Sequence, residues 1–137
     1  MFNTLDELVG EAEGTTTFAN GKFAATVELP DTIKDGQYTL RVKSSKYLRK
    51  RIIGFANLQA GGTYTSPETQ LVAGDIDGDN KLNVLDYTQL LDCYTVDQPA
   101  KACDTGKKAN TDLTDDGKVN QFDLNLFIRE FSVQTGE

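Results

Sequence analysis

Asp75-Ile76-Asp77-Gly78-Asp79-Asn80-Lys81-Leu82-Asn83-Val84-Leu85-Asp86 and, 37 residues later, Asp112-Leu113-Thr114-Asp115-Asp116-Gly117-Lys118-Val119-Asn120-Gln121-Phe122-Asp123 are two copies of one twelve-position pattern. Short oxygen-bearing side chains recur at positions 1, 3, 5, 9 and 12 of each copy. Calcium takes six to eight hard oxygen ligands, and a twelve-residue loop supplies them from positions 1, 3, 5, 7, 9 and 12, position 7 through its backbone carbonyl. An Asp/Asn/Gly-rich stretch read singly is a solvated turn, because those residues favour turns for their own backbone reasons. Two copies, each with an apolar residue at position 8 (Leu82, Val119) and each followed by a helical pattern, point instead to a metal.

In the first loop the expected side-chain ligands are Asp75, Asp77, Asp79 and Asp86, with the Lys81 carbonyl and Asn83 acting through water. The second offers Asp112, Asp116 and Asp123, the Lys118 carbonyl and Asn120, but its position 3 is Thr114, whose hydroxyl is a poorer ligand. Two calcium ions are therefore expected, the second held more weakly. Position 6 needs positive φ, which Gly117 adopts freely and Asn80 tolerates. Position 12 is Asp in both copies where an ordinary EF-hand has a bidentate Glu.

Helical spacing follows each loop: Leu85, Leu90, Leu91 and Tyr94 in the first copy, Phe122, Leu126, Phe127 and Phe131 in the second. The stretches before the loops read as non-helical, including Gly106-Lys107-Lys108-Ala109-Asn110, so each copy is a loop-helix half without an entering helix. Two short helices in about 65 residues bury little apolar surface, and modules of that size rely on a metal or a disulfide. Cys93 and Cys103 lie between the copies, close enough in sequence to pair; separate free thiols are the other reading. A bridge there, like the calcium loops, would point to an oxidising extracellular setting.

The run Gly74 to Leu91 and the run Asp112 to Arg129 resemble the dockerin family, calcium-binding modules that dock secreted proteins onto cohesin domains. The resemblance covers about residues 72 to 135. It implies a cohesin-like partner contacted through loop positions 10 and 11 and exposed helix positions, here Val84, Leu85, Leu91 and Asp92 in the first copy and Gln121, Phe122, Ile128 and Arg129 in the second. Val84-Leu85 and Gln121-Phe122 replace the Ser-Thr pair of the best-known class, and the two copies do not match each other, which favours one preferred face over a dual binding mode. Core packing is the competing reading for Val84, Leu85, Phe122 and Ile128 taken singly.

Composition changes near residue 72. The chain has 137 residues, and the reading divides it into residues 1–71 and 72–137. The first part shows strand patterns at Phe23 to Leu29, Tyr38 to Lys43 and Tyr47 to Leu58, punctuated by Asn20-Gly21, Pro30-Asp31, Asp35-Gly36 and Gly61-Gly62. Tyr38, Leu40 and Val42 alternate with Thr39, Arg41 and Lys43, as in a half-buried antiparallel strand. Gly36-Gln37-Tyr38-Thr39-Leu40-Arg41-Val42 and its flanks resemble carboxypeptidase-regulatory-like β-sandwich repeats, which often precede dockerins. Fewer strands are visible than the roughly seven a sandwich needs, so the sheet is expected to be incomplete and open to self-association at an edge. Residues 1–17 show helical spacing at Leu5, Leu8 and Val9. The expected fold class is a mixed two-part chain: an N-terminal all-β antiparallel sandwich and a C-terminal small α dockerin-like domain with two EF-hand-type loops.

The formal net charge is −7, much of it from the seven ligand aspartates, and two calcium ions would reduce it to about −3. The basic cluster Lys43, Lys46, Arg49, Lys50 and Arg51 is accompanied by no aromatic stacking pattern or nucleic-acid motif and reads as a solvated strand face beside an acidic neighbour. No apolar run approaches the roughly 18 to 20 residues of a membrane span, and the opening residues lack a signal pattern, so a secretion signal is expected outside this chain. The chain has no His, no phosphate loop, and no Ser or Cys with a His partner. The expected function is a non-catalytic, extracellular or cell-surface adaptor that binds a cohesin-type partner. A calcium-stabilised spacer is the alternative, and an ancillary piece of a large secreted enzyme a third reading.

Overall fold

The computed structural model describes residues 1–95 and 103–133. It separates into two compact units, Met1–Arg41 with Arg51–Glu68, and Val42–Lys50 with Thr69–Glu137.

The first unit is built from short strands. β1 (Thr17–Ala19) and β2 (Lys22–Ala24) form a hairpin in which Phe18 faces Phe23, ring centroids 4.9 Å apart. Its two-residue turn is Asn20-Gly21, with φ of 53° and 76°. Positive φ at both positions matches the right-handed twist of the flanking strands, and Asn-Gly supplies it. β3 (Gly36–Tyr38) pairs antiparallel with β6 (Ala56–Leu58), Tyr38 opposite Ala56. β4 (Arg41–Val42) and β5 (Lys50–Arg51) pair where the chain passes from one unit to the other.

The expected sandwich is not what these strands make. Among the described residues there are three separate two-stranded sheets, and the long strands predicted over 23–29, 38–43 and 47–58 shrink to two or three residues each. Thr39 and Ala56 are buried in this unit, whereas Phe18, Phe23, Val27, Leu29, Ile53 and Phe55 are exposed. A sandwich is held by two inner faces meeting in a core; among the described residues no second layer covers these apolar side chains. The helical spacing of residues 1–17 is also overridden. Asn3 Oδ1 accepts from the backbone N–H groups of Leu5 and Glu7, Asp6 has φ of 61°, and Phe2 bridges to Leu8 and Thr39. An Asx turn of this kind offers the backbone an alternative to helix.

The second unit has the core. Leu48, Ile76, Leu82, Leu90, Leu113 and Phe127 are buried together, with Val72, Tyr94, Leu124 and Leu126 packed against them. The helices are α1 (Val84–Cys93), α2 (Thr105–Thr111) and α3 (Gln121–Val133). α2 corrects the expectation that no helix precedes the second loop. Asp104 caps it by accepting from Lys107 N–H at 2.8 Å, the Thr111 hydroxyl donates back to the Lys107 carbonyl, and Lys107 Nζ pairs with Asp92 at 2.6 Å. Cys93 and Cys103 form a disulfide.

Residues 42–50 belong to this unit through backbone pairing. Leu48 N–H donates to the Val72 carbonyl and Gly74 N–H to the Lys46 carbonyl, both at 2.8 Å, with Tyr47 bridged to Ala73. Leu48 thereby reaches the core from a segment well upstream of the loops. Gly74 sits at φ 119°, and a Cβ there would lie 2.6 Å from Leu82 Cδ1 and 3.1 Å from the Phe127 ring. The core needs glycine at this point for close approach of the backbone.

Candidate metal centre

The twelve-position repeat is a repeat in three dimensions as well. At position 1, Asp75 accepts from Asn80 N–H at 3.1 Å and Asp112 accepts from Gly117 N–H at 2.7 Å. At position 5, Asp79 accepts from Lys81 N–H and Asp116 from Lys118 N–H, each at 2.8 Å. At position 9, Asn83 accepts from Leu85 N–H and Asn120 from Phe122 N–H, again each at 2.8 Å. Each carboxylate or amide thus folds the loop around itself, turning side-chain oxygens inward where a cation would sit. Asn80 and Gly117 have φ of 65° and 82°, the position-6 turn expected from the sequence. Gly78 and Asp115 at position 4 add a second positive-φ residue to each loop, with φ of 79° and 58°.

Position 12 closes both loops. Asp86 accepts from Ile76, Asp77 and Asn83 N–H, and Asp123 from Thr114 and Asn120 N–H and from the Thr114 hydroxyl at 3.0 Å. Asn83 and Asp86 together make a capping box at the start of α1. Asp75, Asp86 and Asp123 are completely buried. Burial pushes the Asp86 carboxyl above its ordinary range; its three N–H donors pull the other way, and neighbouring Asp77 adds to the rise. A buried carboxylate is costly unless a partner offsets its lost hydration.

Asp75, Asp77 and Asp86 each bring a carboxylate oxygen within 4.8 Å of the others, and among the described residues no other such group of three occurs. Asp112, Asp116 and Asp123 keep the same loop bonds without converging as closely. The donor set fits calcium: it is all oxygen and anionic, with no His in the chain and both thiols tied in a disulfide. Asp79, on the rim, lies 3.9 Å from its neighbour Lys81 Nζ. Thr114 turns its hydroxyl to Asp123, and Asn120 Nδ2 donates to Asp116 at 3.4 Å.

The sequence reading missed two residues at these loops. Lys43 Nζ lies 2.5 Å from Asp75 Oδ2, and Lys46 Nζ donates to the Asp112 carbonyl and lies 2.5 Å from Asp115 Oδ1. Lys46 is only 6% exposed, so the solvated strand face expected for the basic cluster does not hold for it. No local pattern marks these lysines. Their clustering just ahead of an acidic segment was the one signal, and it says nothing about which carboxylate each would meet.

Seven of the eight residues expected to meet a partner are exposed. Val84, Leu85, Phe122 and Ile128, for which core packing competed, are all more than half exposed; Leu91 is 44% exposed. Gln121 and Arg129 are exposed too, while Asp92 is partly covered and paired with Lys107. In both copies the helix turns its apolar residue 15 positions after Asp75 or Asp112 inward, as Leu90 and Phe127, and the next one outward, as Leu91 and Ile128.

No curated protein and no solved structure matched the chain. Residues 73–132, somewhat less than half of it, match the family model described as the dockerin type I domain, and this part of the chain is a dockerin domain with three helices among its described residues.

Proposed function

We propose that this chain docks an attached, secreted protein onto a cohesin-type partner through a calcium-loaded dockerin domain. The ions would be held by Asp75, Asp77, Asp79, Asn83, Asp86 and the Lys81 carbonyl in the first loop. Asp112, Thr114, Asp116, Asn120, Asp123 and the Lys118 carbonyl would serve the second, more weakly because a hydroxyl replaces a carboxylate at position 3. Calcium fixes the loops, and the loops fix the first turns of α1 and α3. The observation that carries the reading is this coupling: position 12 of each loop ties the loop backbone to the helix start, and the apolar residues just before it, Leu85 and Phe122, face outward.

Exposed apolar side chains on a rigid helix are what a docking surface needs and what a spacer has no use for. The domain is a non-catalytic interaction module, and its surroundings would be extracellular or at a cell surface. The decisive experiment is capture of the chain by a panel of cohesin domains in millimolar calcium and in excess chelator, with circular dichroism checking the fold in each buffer. Calcium-dependent capture is expected. A chain that folds in calcium yet binds no cohesin would leave a structural spacer as the function.

A further inference from the structure

The two lysines of the segment Val42–Lys50 meet their loops differently. Lys46 touches the second loop at a main-chain carbonyl, that of Asp112, and at Asp115, a position that supplies no ligand. Lys43 instead contacts the carboxylate of an expected ligand residue, Asp75 Oδ2 at 2.5 Å, and that carboxylate is completely buried. Its ammonium is seated: it also donates to the carbonyls of Ser44, Ser45 and Tyr47, the last at 2.6 Å, within the turn closed by Tyr47 N–H on the Ser44 carbonyl. This side chain is held by its own backbone in front of the first loop.

We propose that Lys43 is a resident counter-cation of the first loop, which calcium must displace from Asp75, so that the segment Val42–Lys50 sets the calcium affinity of that loop and not of the second. This rests on the reading that calcium occupies the first loop. Two cations cannot share Asp75 at bonding distance without strong repulsion. The ammonium stabilises the clustered carboxylates when calcium is low and opposes the ion as it arrives. By linkage, whatever Lys43 contributes to the metal-free loop is subtracted from calcium binding.

The test is calcium titration calorimetry of the full chain, with melting temperature in chelator as a second readout. Lys43→Met should tighten one site by roughly five-fold or more and lower the melting temperature in chelator, the size expected of a modest coupling. Arg49→Met, which removes an exposed cation from the same segment, should stay near wild type. A Lys43→Met chain with the affinity of Arg49→Met overturns the inference alone. A wild-type chain with no calcium heat and no calcium-dependent melting shift overturns it together with the calcium reading. A measurement needing no variant is acetylation of Lys43 in wild type, followed by mass spectrometry. The amine should react slowly in chelator and faster in calcium, and the reverse order sinks the proposal.

Discussion

Asp86 and Asp123 close two equivalent loops in the same way, each carboxylate accepting from the N–H two residues past the start of its loop and from the N–H of the Asn three residues before itself. One side chain thus joins the loop's beginning to the helix's first turn. The candidate metal centre and the helix cap are one structure, so an ion held by either loop would be coupled to the stability of the helix that follows it.

Replacing either aspartate by alanine breaks the cap and the loop together. Asp86→Ala should cost about 2–4 kcal/mol of unfolding free energy, the sum expected for several hydrogen bonds to a buried carboxylate and a lost capping box. Asp123→Ala should behave alike. Urea unfolding in calcium followed by circular dichroism measures both, and a loss under about 0.5 kcal/mol, the size of an ordinary surface change, would show that these carboxylates do not close the loops.

Gly74 and Gly78 both have positive φ but differ in their surroundings. A Cβ at Gly74 collides with Leu82 and Phe127, whereas nothing lies within 4 Å of one at Gly78. Gly74→Ala should therefore cost about 2–4 kcal/mol, strain plus overpacking, and Gly78→Ala about 1–2 kcal/mol, strain alone. Thermal unfolding in calcium reads the difference; equal shifts would mean that the Leu82 and Phe127 side chains move aside freely.

What the sequence made legible was local. The loops were readable because Asp, Asn and Gly at fixed offsets dictate their own turns, and the Asn20-Gly21 turn was marked for the same reason, although β1 before it was not named. α1 and α3 followed from apolar spacing that places Leu90 and Phe127 in the core. α2 was hidden because Gly106 and Asn110 weaken its helical signature; its order comes from the Asp104 cap and the Lys107–Asp92 pair. The pairing of residues 46–48 with 72–74 was hidden because a strand's alternation does not name its partner. The same ignorance misled the reading of the first part, where Tyr38, Leu40 and Val42 alternate in the sequence but are only half-buried, Thr39 is buried in their stead, and the described strands form separate two-stranded sheets.

The Cys93–Cys103 disulfide closes a loop of sequence separation 10 at the end of α1 and one residue before the α2 cap. Loop-closure entropy predicts that reduction costs about 2–3 kcal/mol. Denaturant unfolding with and without reductant tests this without excavating the buried Cys93 site, as alanine would. Hydrogen exchange should show α2 losing protection before α1 and α3. Uniform loss across all three helices would mean that the bridge supports the whole unit and not its α2 connection.

Docking is predicted to be led by the α3 copy. Phe122 is 70% exposed and Ile128 54%, against 58% for Leu85 and 44% for Leu91. Aromatic anchors are enriched among residues that dominate binding energy. The α1 copy is also encumbered at its far end, where Asp92 is committed to Lys107 and Cys93 to the disulfide; Arg129 in the α3 copy pairs only with its own neighbour Glu130 among the described residues. Against a cohesin that captures the wild-type chain, Phe122→Asp with Ile128→Asp should weaken binding by roughly thirty-fold or more, the equivalent of about 2 kcal/mol. Leu85→Asp with Leu91→Asp should weaken it by less than about three-fold, well under 1 kcal/mol. All four side chains are exposed, so melting temperatures in calcium should stay within about 3 °C of wild type, as for surface changes within about 0.5 kcal/mol. Equal losses from both pairs would mean that either copy can lead, and a loss confined to the α1 pair would reverse the assignment.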